Sequence, residues 1–264
     1  MKTKSKLTRA VTVLFLIFLV LFGGLVIWKE FENTDVSWPG DPALAEAAKT
    51  VKTFARENGY KASDYPDSLV SLLARNPETE EFVLHYPEHK DKAFPISLDE
   101  YKGDAVPLFM QWDKRWGYMK YGSDMVAMTG CGPVCLAMAG FYWTQDEAFS
   151  PDKMVSYAIE EGYCVPGNGT SWTLISEGGV KLGLDVTEIP LDENRINRNL
   201  EVGNPIICVM GPGDFTTTGH YIVMTGLENG LIRINHPNSY ANSEKLWDYD
   251  DIYDQIRNLW VIRK

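Results

Sequence analysis

A chain of 264 residues with 45% apolar content is long enough for one moderate domain plus appendages and can form a core without covalent staples. Its formal net charge of −11 excludes sequence-independent nucleic-acid binding, which needs a basic surface to neutralise phosphates. The surplus of carboxylates reads as a solubility charge.

The first element is a membrane segment. Lys2, Lys4, Lys6 and Arg9 precede a run from Ala10 to Trp28 that carries no charge. As a helix this run covers about 28 Å, close to the ~30 Å of a hydrocarbon core. Glu30, Glu32 and Asp35 follow it, so the positive-inside rule places the N-terminus in the cytoplasm and the remaining chain outside. A cleaved signal peptide is the rival reading. However, Gly23-Gly24 runs on into Leu25-Val26-Ile27-Trp28, and Ala43-Leu44-Ala45 lies too far downstream for a cleavage site. Residues 1–28 are therefore expected to be a basic tip and a retained single-pass anchor in the cell membrane. The bilayer is then a partner of residues 10–28.

Residues 29–40 read as a linker ending in Trp38-Pro39-Gly40, and residues 41–102 as a small helical module. Asp41 is an N-cap candidate, Pro42 suits a first turn and Gly59 a stop, with Leu44, Ala48, Val51 and Ala55 as the apolar stripe. A second helix follows Tyr65-Pro66 with Leu69, Leu72 and Leu73. Asn76-Pro77 ends it and opens a third with Phe82, Val83 and Tyr86 buried. His85 and His89 have the i, i+4 spacing of a metal pair. With no third ligand counted beside them they read as surface histidines, and no metal is expected.

From residue 103 to 264 glycine, proline and aromatic residues become dense. Helices are predicted from Gly130-Cys131-Gly132-Pro133, from Ser150-Pro151-Asp152, from Gly169-Thr170-Ser171-Trp172 to about Gly183, and from Asp192 to Gly203. Strands are predicted over 205–210, over 220–225 and 231–234 joined across Glu228-Asn229-Gly230, and over 259–263. Helices first and antiparallel strands second make an α+β fold.

Four cysteines, Cys131, Cys135, Cys164 and Cys208, permit two disulfides, although their spacing is not that of a small disulfide scaffold. Cys131 stands apart. It opens a helix, where free N–H groups and the helix dipole favour a thiolate and suit an oxyanion. Gly130 and Gly132 on either side leave room for a substrate backbone. Cys135, one turn on in an apolar run, reads as core filler. Outside the helical module the only histidines are His220 and His236. His220 opens an apolar strand at a sheet edge, a stiff position from which an imidazole can serve as base to a thiol. Asn235 and His236 end the next strand, where alternation turns one of them toward the site.

These stretches, taken in order, resemble a family. Val106-Pro107-Leu108, Gln111-Trp112-Asp113, Arg115-Trp116-Gly117, Gly130-Cys131-Gly132-Pro133, Gly169-Thr170-Ser171-Trp172, Gly219-His220-Tyr221 and Asn235-His236-Pro237-Asn238-Ser239 are similar to the stand-alone, C39-like relatives of the bacteriocin-processing, double-glycine leader peptidases. These are papain-like cysteine peptidases, frequent in Gram-positive bacteria and often tethered outside the membrane. The segment around Tyr65-Pro66, Leu69 and Asn76-Pro77-Glu78 is similar to the helical lead-in of some members.

The resemblance implies a papain-like α+β fold, peptide-bond hydrolysis, Cys131 as nucleophile, His220 as base and no cofactor. The family usually has Asp immediately before the proline of the later strand. His236 stands there instead, so His236, Asn235 and Asp214 are all candidates for the third member. Gln111 is implied as an oxyanion donor. Trp112, Trp116 and Trp172, which singly read as core tryptophans, become candidates to line a substrate groove with Gly132. The substrate is expected to be a peptide or protein outside the cell. A catalytically inactive binding module and an amidase or acyl transferase using the same thioester are the alternatives. A zinc site from Cys131, Cys135, His220 and His236 lacks the spacing of a structural finger.

Overall fold

The computed structural model describes residues 41–264, so the basic tip, the expected anchor and the linker lie outside the described residues. No helix among those described is long and apolar enough to cross a membrane. Residues Glu46–Lys264 form one compact unit, and the site belongs to it.

The lead-in begins with α1 (Pro42–Glu57), capped by the Asp41 carboxylate, which accepts from the N–H of Ala43 at 2.9 Å. The chain leaves α1 through Gly59 at φ 77°, a conformation only glycine adopts without strain. Helix α2 (Asp67–Arg75) buries Leu69, Val70, Leu72 and Leu73. The third predicted helix is two short ones, α3 (Glu80–Leu84) and α4 (Tyr86–His89). Pro87 cannot donate into a continuous helix, so the chain breaks at His85, and Tyr86 is half-buried rather than buried.

Helix α5 (Cys131–Thr144) is apolar all round and buries every residue from Gly132 to Phe141. Such a helix belongs inside. It packs on one face of a six-stranded antiparallel sheet. The strands are β1 (Asp185–Glu188), β2 (Ile206–Met210), β3 (His220–Glu228), β4 (Leu231–Asn235), β5 (Leu246–Trp247) and β6 (Ile256–Arg263), in the order β1-β6-β2-β3-β4-β5. Ile207, Val209, Tyr221 and Val223 face the α5 side. Ile206, Cys208, Ile222 and Met224 face a second core built with α7 (Glu193–Glu201), which follows α6 (Pro151–Glu160). Burial on both faces explains the unbroken apolar run of β2. Asn229 and Gly230 both take positive φ, 54° and 84°, as a two-residue hairpin turn between β3 and β4 requires.

One predicted helix starts later, and one edge strand has no counterpart among the predicted elements. Gly169–Thr170 pairs with Cys164–Val165 as a short ribbon, and helical structure starts only at Leu174 as a π-turn running to Gly178. The edge strand β1, with an exposed and polar Asp-Val-Thr-Glu sequence, gives no apolar signal of its own.

Candidate active site

Cys131 is the first residue of α5, and its sulphur is faced by three backbone N–H groups, its own and those of Gly132 and Tyr221. Tyr221 is the residue after His220, so the fold brings the thiol to the mouth of β3. Those donors favour the thiolate, but burial outweighs them and pushes the thiol above its ordinary value. The helix N-terminus therefore does not by itself yield the resting thiolate that the sequence suggested. All four cysteines are free thiols, and Cys135 and Cys208 are wholly buried, which agrees with a packing role.

His220 opens β3 opposite Met210 of β2. Its Nε2 is buried and has no hydrogen-bond partner among the described residues. Burial and the neighbouring His236 hold the ring well below the ordinary imidazole range, so it is neutral at pH 7. His236 lies beside it, ring centroids 4.6 Å apart at 35°, and is itself buried.

Both nitrogens of His236 are committed. Nδ1 accepts from the N–H of Asn238 at 3.1 Å, so the proton resides on Nε2, which donates to the Phe215 carbonyl at 3.3 Å. In this tautomer His236 offers His220 a ring face and no acceptor. The other candidates for a third member also have partners, although those of Asn235 use its NH2 group and not the oxygen that a third member would offer. Asn235 donates its amide to the carbonyls of Val106 (3.1 Å) and Pro107 (2.9 Å). Asp214 accepts from Gln255 Nε2 at 2.7 Å.

Gln111 is buried. Its backbone N–H donates to Pro237 at 2.7 Å, which ties it to the His236 loop, while its side-chain amide donates to Ala127 at 2.6 Å. A second side-chain N–H remains. Trp112 donates to the Asn238 carbonyl at 3.2 Å and meets the half-exposed Tyr240 edge-on at 5.4 Å. Trp172 is 46% exposed and rests edge-on against buried Trp260. Trp116 is a core residue, 1% exposed. A Cβ on Gly132 would meet the Thr170 side chain at 2.7 Å. That glycine thus admits the 164–170 ribbon rather than a substrate.

Sequence reasoning missed how the His236 loop is held. Glu78 accepts from Ser239 Oγ (3.2 Å), Tyr240 N (2.6 Å) and Ala241 N (3.0 Å), capping the short helix α8 (Tyr240–Glu244). Asn76 donates its side-chain amide to the Asn238 carbonyl. Ser243 Oγ closes the loop from inside, accepting from His236 N at 2.9 Å. The Asn76-Pro77-Glu78 stretch was the available signal, but its target 160 residues on is invisible to local pattern.

A buried helix that presents a thiol to the strand opened by a histidine is the arrangement the ordered motifs foretold, and the Peptidase_C39 like family matches residues 104–264. The chain belongs to that family. Its C39-like region is thus a cysteine-peptidase-like domain. Two solved structures are similar to it. The peptidase domain of Streptococcus ComA, a bi-functional ABC transporter involved in a quorum-sensing pathway, is 21% identical, with 60% of this chain and 98% of that one covered and a TM-score of 0.41. A C39-like peptidase from Bacillus anthracis is 14% identical, covering 60% of this chain and 94% of that one, also at a TM-score of 0.41. No curated protein matches the chain.

Proposed function

We propose that this C39-like chain is a membrane-anchored cysteine peptidase that hydrolyses peptide bonds outside the cell, with Cys131 as nucleophile and His220 as base. The observation that carries the reading is the Cys131 sulphur at the N-terminus of buried α5, against the N–H of the residue following His220. The anchor rests on the uncharged run from Ala10 to Trp28, and the substrate is a peptide or exposed protein segment.

With thiol and imidazole both neutral at rest, the reaction starts as general-base catalysis. Sγ attacks the carbonyl carbon while its proton passes to His220. The N–H of Cys131, joined by Gln111 through its remaining side-chain hydrogen, stabilises the tetrahedral oxyanion. One such donor is typically worth about 3–4 kcal/mol of barrier. His220 then returns the proton to the leaving amine, and a thioester remains on Cys131. Water, deprotonated by His220, hydrolyses it and restores the thiol.

Turnover of a quenched peptide library by the full chain in detergent tests this. Cys131→Ala is expected to abolish it, while Cys135→Ala retains most of it. The orphaned His220 Nε2 and the missing carboxylate favour one rival, an inactive peptide-binding module. Peptide binding by the wild-type chain, with no turnover that depends on Cys131, would decide for that rival.

A further inference from the structure

Outside the candidate active site, the lead-in holds a second cluster of ligating side chains. His85 joins α3 to α4, and Glu88 and His89 lie in α4. One nitrogen of each ring and one oxygen of Glu88 all lie within 4.8 Å of one another. The sequence reading counted no third ligand and placed both histidines on the surface. The structure supplies Glu88 and half-buries the rings, at 33% and 19% exposure for His85 and His89.

The rings are oriented before any ion arrives. His85 sits edge-on against Phe54 at 5.2 Å, and His89 edge-on against Phe94 at 5.1 Å. The two imidazoles lie nearly parallel, 5.4 Å apart at 21°. The Glu88 carboxylate bridges them, Oε2 at 3.4 Å from His85 Nδ1 and Oε1 at 3.7 Å from His89 Nε2. A further observation points to a ligand. With Nδ1 turned to Glu88, the other nitrogen of His85 lies 3.4 Å from the Glu81 carboxylate. A metal-binding histidine characteristically gives its second N–H to a carboxylate, which fixes the tautomer and raises the basicity of the ligating nitrogen.

We propose that His85, Glu88 and His89 form a binding site for a divalent transition metal, Zn²⁺ or Ni²⁺ in preference to Mg²⁺ or Ca²⁺, with Glu81 orienting His85. Two imidazoles and one carboxylate suit borderline cations, whereas the hard cations want oxygen alone. Ligands about 2.1 Å from one ion stand at most about 4.2 Å apart, so small side-chain rotations close the set and leave remaining positions to water. Bound there, the ion ties the end of α3 to α4, the break that Pro87 opens in the helix. Lys92, whose ammonium lies 2.9 Å from Glu88 Oε1, is the competitor that the metal displaces.

The test is titration of the chelator-treated full chain in detergent with zinc chloride, read by calorimetry and by melting temperature, with nickel and magnesium chlorides in parallel. His85→Phe and His89→Phe keep an aromatic ring in each packing position and remove only the ligand. One equivalent of Zn²⁺ is expected to bind and raise the melting temperature, with no effect of Mg²⁺. Each histidine variant is expected to weaken binding more than tenfold and Glu81→Gln about tenfold, while Lys92→Met tightens it. Absence of zinc binding, zinc binding unchanged in both histidine variants, or binding abolished by alkylating the cysteines overturns the proposal.

Discussion

The His220 ring carries the greatest tension between chemistry and environment. Its Nε2 is buried with no hydrogen-bond partner among the described residues, and the residue beside it, His236, is locked as a neutral donor to Phe215. A carboxylate at position 236 would reverse this, since an adjacent negative charge favours imidazolium by a unit or more. His236→Asp is therefore expected to raise the rate of Cys131 alkylation by iodoacetamide at pH 6–7 at least about tenfold, one pKa unit being worth about 1.4 kcal/mol. An unchanged rate would show that His220 does not govern the thiol. Acid acts in the opposite sense to that substitution. Burial depresses both His220 and His236 below the ordinary imidazole value of about 6.5, so between their folded values and about 6.5 the unfolded chain binds more protons. Their contribution to stability is full above pH 6.5 and is lost as pH falls below it, by up to about 1.4 kcal/mol per pH unit for each ring. Urea midpoints at pH 7.5 and 5.5 are expected to fall apart in wild type and to draw closer in His236→Phe, which has one ring fewer to protonate.

At the scale of elements, the loop that carries His236 is held by parts far away in the chain. Glu78 caps α8 with three hydrogen bonds and Asn76 holds Asn238, so the 236–243 loop is fixed by the lead-in as well as by Ser243. Hydrogen bonds to a charged group contribute about 1.5–3 kcal/mol, and caps about 1 kcal/mol. Glu78→Ala is expected to cost about 2 kcal/mol in denaturant unfolding and to slow turnover, and Glu78→Gln to recover part of both. Such long-range clamps mark the limit of what the sequence made legible. Local chemistry was readable: Pro42 and Gly59 bounded α1, Asp192 capped α7 through Arg195 N at 2.8 Å, and Asn229-Gly230 turned the hairpin. Gly169-Thr170-Ser171-Trp172 read as a helix start because its small polar residues suit a cap. Pairing of Gly169–Thr170 with Cys164–Val165, whose Thr170 fills the space beside Gly132, overrides that preference. The Cys131 and His220 positions were readable from glycine, helix and strand signals, whereas the commitments of His236, Asn235 and Asp214 depend on folded neighbours.

For the molecule as a whole, the family boundary and the physical boundary differ. The family match begins at residue 104, yet residues 46–264 form one compact unit. The seam between lead-in and C39-like region is built like an interior. Tyr118 stacks on Phe82 at 4.1 Å and donates its hydroxyl to the Phe82 carbonyl at 2.7 Å. Leu98 N donates to Glu147 at 3.0 Å, buried Leu98 belongs to the α5 core, and Glu78 reaches α8. Removing the lead-in uncovers Tyr118 and the part of the α5 core that Leu98 covers, and it strips α8 of its Glu78 cap; each large apolar side chain taken out of such a seam is worth about 1.5–3 kcal/mol. For a domain of this size 1 kcal/mol corresponds to roughly 2–4 °C in melting temperature. A chain of residues 104–264 is thus expected to melt more than about 10 °C below one of residues 46–264, or to lose its cooperative transition and bind a hydrophobic dye. Circular dichroism melts of the two chains measure it. Melting temperatures within about 3 °C would show the lead-in to be an independent appendage, and the clamp on the His236 loop would then be a contact without consequence for the fold.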